Sequence, residues 1–251
     1  MPGRPDEVIP LMDSVPWRRF PALTVLLIVA NFVAFVADRM GGAYHTVELP
    51  GISGSVQHQQ FVGGLAERFA LSPHMAMHDP RALWTSAVVA LFLHTNWLPI
   101  GANMLYLWVF GANVEDVLGR LRFLLLYVAG GVLGSVAQAS VAPLGEAPIV
   151  GSAGAVAAVM AAHLALFGFM DVIAFVLIPM TRMLLQVPSL LAMGFWALLQ
   201  FVNAHLGGGD LLRGGGIAAV SIACGFALGL LIGATGTGAA RQFLQQQRMP
   251  R

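Results

Sequence analysis

The chain has no lysine at all and only one cysteine, Cys224, and 10% of its 251 residues are charged. Each shortage excludes something. With a formal charge of +1 and no basic run, the chain has nothing to neutralise a phosphate backbone, so a nucleic-acid partner is not expected. One cysteine cannot form an intrachain disulfide, and its place among apolar residues reads as a buried, inert thiol. Charge is also missing over long runs, Phe20 to Ala37 and from Phe123 up to Glu146, which have the length of hydrocarbon-crossing helices.

What is abundant points the same way. Apolar residues form 57% of the chain, far above soluble domains. The reading is an all-α, polytopic membrane protein with six spans in one domain, residues 21–235. Polar tails at 1–20 and 236–251 flank it, and a long loop, 38–82, follows the first span. The spans are expected near Pro21–Ala37, Trp84–Phe110 (interrupted near Pro99), Leu121–Ser140, Gly151–Phe169, Met183–Val202 and Ile217–Ile232. Six spans put both termini on one side. Arg4, Arg18, Arg19, Arg120, Arg122, Arg182, Arg241, Arg248 and Arg251 then lie with the termini, against Arg39, Arg68, Arg81 and Arg213 opposite. Positive residues favour the cytoplasm, so the expected location is a bacterial inner membrane with both ends cytoplasmic. Arg18-Arg19 is read as a topology anchor rather than a cleavable twin-arginine signal.

Small residues mark expected contacts. Gly225 and Gly229 on the sixth span, with Gly151 and Gly154 heading the fourth, are expected to pack those helices together, because small residues let backbones approach in lipid. Asn103 is expected to face that seam, while Phe195 and Trp196 are expected to face lipid. His74 and His78, with His45 and His58 in the same loop, are weak candidates for a metal site; the reading adopted is no metal and no cofactor.

Several segments resemble, in order, those of the bacterial rhomboid intramembrane serine proteases. They are Arg18-Arg19-Phe20-Pro21 with Asn31-Phe32-Val33-Ala34-Phe35, Phe69-Ala70-Leu71-Ser72-Pro73, His94 through Asn103, Asn113-Val114-Glu115-Asp116, Gly151 through Gly154, and Gly225-Phe226 with Gly229. The resemblance implies a six-helix bundle with the fourth helix central and the first loop lying partly in the outer leaflet. It also implies a serine nucleophile on the fourth span, a histidine base on the sixth, and an oxyanion site from a histidine and an asparagine on the second. At the matching positions this chain has Ala153, Ile222 and Pro99; only Asn103 is kept.

A hydroxyl does occur at Ser152, one residue early, where a helix turns it by about 100°. His163 lies 11 residues further on, about 16 Å by helical rise, too far to serve it. His205 or His94 could approach it from the membrane surface, though the resemblance gives His94 a structural role at the loop. Three functions stay open. The first is a non-cleaving rhomboid-like protein binding transmembrane helices of clients within the bilayer. The second is an active intramembrane serine endopeptidase with a rewired Ser152. The third is a structural accessory subunit of a larger membrane complex.

Overall fold

A computed structural model describes residues 12–13, 17–51, 54–73, 79–141, 148–178, 181–206 and 218–248. Nine helices and two small sheets are labelled here among them. Helix α1 (Ala22–Gly41) is followed by a hairpin of β2 (Ala43–Gly51) and β3 (Gly54–Val62), then short α2 (Leu65–Phe69). Helices α3 (Pro80–Ala90), α4 (Trp97–Leu118), α5 (Arg120–Val141) and α6 (Ala153–Phe167) come next. A second hairpin, β4 (Asp171–Ile178) and β5 (Thr181–Pro188), pairs with β1 (Met12–Asp13) in the order β1-β4-β5 and leads into α7 (Ser189–Leu206). Helices α8 (Ala219–Thr235) and α9 (Thr237–Arg248) close the chain.

The bundle is organised around α6. Ala155, Val156, Ala157, Ala158, Val159, Ala161 and Ala162 are wholly buried, whereas Leu26, Val33, Leu125, Leu191 and Leu231 face outward. A helix of small apolar residues is covered on all sides, and the large side chains form the outer surface that lipid wets. Helix α6 makes its most extensive contact with α8, then α5 and α4. The contact with α8 is backbone against backbone. A Cβ at Gly225 would collide with the carbonyl of Gly154, and one at Gly229 with that of Ala158. Gly151 stands apart from this seam. Its φ of +107° makes the turn into α6, and its amide donates to the Ala90 carbonyl at 2.8 Å.

Two helices, α1 and α5, are each long and apolar enough to cross a membrane, and α8 with α9 passes only as a pair bent by 62°. The remaining expected spans are modified. The second is divided into α3 and α4 by residues 91–96, and Pro99 sits in the first turn of α4, where its missing N–H breaks no helical bond. The start of the fifth, Met183–Pro188, is a strand, and α7 begins only after Pro188. The loop expected at 38–82 holds a β-hairpin and a helical turn, and the tail expected at 236–251 holds α9. Its buried face is Ala240 and Phe243, with Phe243 edge-on to Phe167 at 6.2 Å between centroids.

Two helix starts are capped from far away in sequence. Glu115, on α4, accepts hydrogen bonds from Leu23 N (3.1 Å), Thr24 N (2.8 Å) and Thr24 Oγ1 (2.9 Å) at the head of α1. Gln138, on α5, accepts from Val220 N (3.0 Å) and Ser221 N (3.3 Å) at the head of α8. A helix's first amides have no intrahelical partner, so both contacts satisfy donors that burial would otherwise strand.

Candidate functional site

The head of α6 carries a buried polar knot. Ser152 is the residue before its first turn, with no measurable exposure, and its Oγ lies 3.3 Å from His94 Nε2 and 3.3 Å from Asn103 Nδ2. Asn103 Nδ2 is also 3.4 Å from His94 Nε2. Asn103 donates from its amide to Ser152 Oγ, and the one lone pair of a neutral His94 Nε2 is shared between the Ser152 hydroxyl and the Asn103 amide. His94 is then the tautomer protonated on Nδ1, and no carboxylate among the described residues bonds to that nitrogen.

The knot is braced from α7. Asn103 Oδ1 accepts from Trp196 Nε1 at 3.1 Å and from Gln200 Nε2 at 2.7 Å, and Tyr106 Oη donates to the Ala192 carbonyl at 2.7 Å. On the opposite flank Tyr127, wholly buried on α5, hydrogen-bonds Asn31 of α1 (3.2 Å), and its hydroxyl also meets Ser152. Residues from α1, α4, α5, α7 and the 91–96 turn thus converge on the entry to α6.

The position of each expected residue can now be compared. Asn103 faces Ser152 and α7, not the α6–α8 seam. Trp196 is only 1% exposed and hydrogen-bonded inward, so it does not face lipid; its neighbour Phe195 is 56% exposed. The inward turn of Trp196 and Gln200 has a sequence signal: two polar-tipped side chains four apart share one face of a largely apolar helix. His163 is fully buried between Phe110 and Phe167, at 4.9 and 4.8 Å between ring centroids, and belongs to the packing. Ala153 is nearly buried. Ile222 lines an apolar cleft of about 500 Å³ between α7 and α8 with Ala197, Ala219, Ala223, Phe226 and Leu230. The side chains of His45, His58, His74, His78 and His205 lie outside the described residues, and no metal-holding cluster occurs among those described.

What the knot can do chemically is limited by space. Acyl transfer needs room for a carbonyl carbon about 3 Å from the nucleophile and free donors aimed at the developing oxyanion. Here the hydroxyl is sealed, and the amide of Asn103 is already engaged by Ser152 and His94. The hydroxyl–imidazole pair has the right polarity, and both side chains are buried among the described residues.

Bundle, glycine seam and polar knot together define an intramembrane helical fold of the rhomboid type. The rhomboid domain model matches residues 81–238, more than half of the chain, and the protein belongs to the rhomboid family. Among curated proteins it is 44% identical over 78 residues to Rhomboid-related protein 3 of Mus musculus, covering 31% of this chain and 19% of that one. Rhomboid protease GluP of Bacillus subtilis is 30% identical over 148 residues, covering 55% and 26% of the two chains. Presenilin-associated rhomboid-like protein A, mitochondrial, of Danio rerio is 34% identical over 79 residues, covering 30% and 20%. The matched segments therefore span about a fifth to a quarter of these relatives.

Proposed function

We propose that this protein is a rhomboid that binds transmembrane helices of other membrane proteins without cutting them. The observation that carries the reading is the sealed state of Ser152, the residue before the first turn of α6, together with Ala153 and Ile222 at the positions where the family's nucleophile and base would stand. In serine proteases the nucleophile and base act as one unit, and loss of either costs on the order of 10⁶ in turnover. The cleft between α7 and α8 supports the binding half. Its walls are apolar and largely alanine, so a helix backbone can come close. Clients approach through the bilayer, and the termini lie in the cytoplasm by the distribution of arginines.

Photocrosslinking from Ala223 in native membranes is the test. An intact, uncut membrane protein should be captured, and the capture should weaken when Ala227 on the same wall is replaced by Trp. Cleavage fragments in the crosslinked band, or no adduct from Ala223, would end this reading.

The 3.3 Å contact between Ser152 and His94 favours a second reading, an endopeptidase rewired to that pair. It requires the cover over Ser152 to open, and a serine-directed phosphonate probe separates the two.

A further inference from the structure

We infer that the crevice between the N-terminal entry and the α4–α5 turn holds the headgroup of an anionic phospholipid. Arg19, Phe20, Glu115, Asp116, Gly119 and Arg120 line a cavity of about 330 Å³ at the end of the bundle that carries α9. A space of about 330 Å³ is ample for a phosphoglycerol group.

Two exposed arginines line the crevice beside two carboxylates, Glu115 buried and Asp116 half-buried. Both carboxylates are held by protein donors. Glu115 is nearly buried, caps α1 through three hydrogen bonds, and lies 3.8 Å from Arg120 Nε. Asp116 accepts from the backbone amide of Arg18 at 2.6 Å. The guanidinium groups of Arg19 and Arg120 are exposed on the crevice rim. Guanidinium forks match phosphate oxygens, and basic pockets between helices at a membrane surface take anionic headgroups.

Apolar residues stand where acyl chains would begin. Phe20 is 63% exposed and Leu121 70% exposed, one at the head of α1 and the other at the head of α5. A soluble phosphate would use the arginines and leave these side chains idle; a phospholipid uses both. The same end also carries Arg122 and Arg241, so a diffuse positive surface is the competing explanation.

Trp17 supplies a reporter, since its ring lies 6.1 Å from that of Phe20. The full chain in nanodiscs would be quenched with brominated phosphatidylglycerol or brominated phosphatidylcholine at equal mole fraction, and the part of the signal lost in Trp17→Phe followed. Phosphatidylglycerol should quench that part more strongly. Its apparent affinity should fall about fivefold for each arginine removed, in Arg19→Gln alone and further in Arg19→Gln with Arg120→Gln. Arg19→Gln changes only an exposed side chain, so its result stands even if the double variant folds poorly. Equal quenching by the two lipids would overturn the inference. So would an equal loss in an Arg122→Gln, Arg241→Gln variant, or displacement of the phosphatidylglycerol preference by inorganic phosphate.

Discussion

The two ends of one short stretch, Ser152 and Gly154, are held by opposite means. From Gly154 onward α6 meets α8 through absence of side chains, with Gly225 and Gly229 laid on the carbonyls of Gly154 and Ala158. Two residues earlier the chain is held by side chains gathered from five separate elements, none of them α8. In the family such a seam carries chemistry, because nucleophile and base stand on those two helices. In this chain the seam is glycine on backbone with the buried hydroxyl of Ser221 beside Gly154, while the Ser152–His94–Asn103 knot lies on the other side of α6. The comparison teaches that the α6–α8 contact rests on glycines that let backbone meet backbone, whatever residues stand at 153 and 222. Close backbone approach depends on glycine, not on the dyad.

The largest effect that would break this contrast is expected at the seam. Gly225→Leu places a branched side chain where even a Cβ collides with backbone, and destabilisation of about 3 kcal/mol or more is expected. Thermal unfolding in detergent, followed by size exclusion, measures it. A well-folded Gly225→Leu protein with unchanged melting would show that α6 and α8 are not in register as described.

The knot should answer more mildly. Asn103→Ala strands Trp196 Nε1 and Gln200 Nε2, two donors brought inward by α7, and a loss of about 1–3 kcal/mol is expected. Trp196→Phe removes one of these bonds and keeps the ring, so about 1 kcal/mol is expected. Both are read from the same melting curves. If Trp196→Phe costs as much as Asn103→Ala, the bracing of α7 comes from Trp196 alone.

Phe195→Ala is expected to lie within about 0.5 kcal/mol of wild type, since its side chain is exposed toward lipid. It sharpens the comparison between adjacent residues, one structural and one on the surface. The triple variant Ala153→Ser, Ile222→His, Pro99→His is expected to give weak proteolysis of a transmembrane substrate. It places serine and two histidines at the positions that the resemblance gives to nucleophile, base and oxyanion donor, without the contacts that would orient them. Complete inactivity in a folded triple variant would mean that the space beside residue 153 no longer admits a peptide.

Much of the scaffold was legible because it depends on composition within a segment. The small-residue run at 151–162 marks α6 as central, and the glycines four apart on α8 mark its contact face. The division of the second span was misplaced, because proline reads as a breaker while the first turn of a helix tolerates it; the break falls earlier, at residues 91–96. The polar knot was legible only as separate parts. Ser152 and His94 could be singled out, but their meeting depends on a turn at Gly151 and on residues 58 positions apart. The expectation that Trp196 faces lipid with Phe195 fails, because Trp196 is buried and hydrogen-bonded inward. Its indole N–H and Gln200 one turn later were the contrary signal. Distant caps such as Glu115 and Gln138 have no local signature, since the helix that each one caps lies more than 80 residues away.

The most direct test is labelling of the protein, in lipid, with a fluorophosphonate probe. Ala153 has no oxygen to modify and Ser152 is covered, so no adduct is expected on the wild-type chain, while an active rhomboid protease in parallel is labelled. Stoichiometric labelling of wild type that disappears in Ser152→Ala would contradict the claim and make the Ser152–His94 pair a working nucleophile and base.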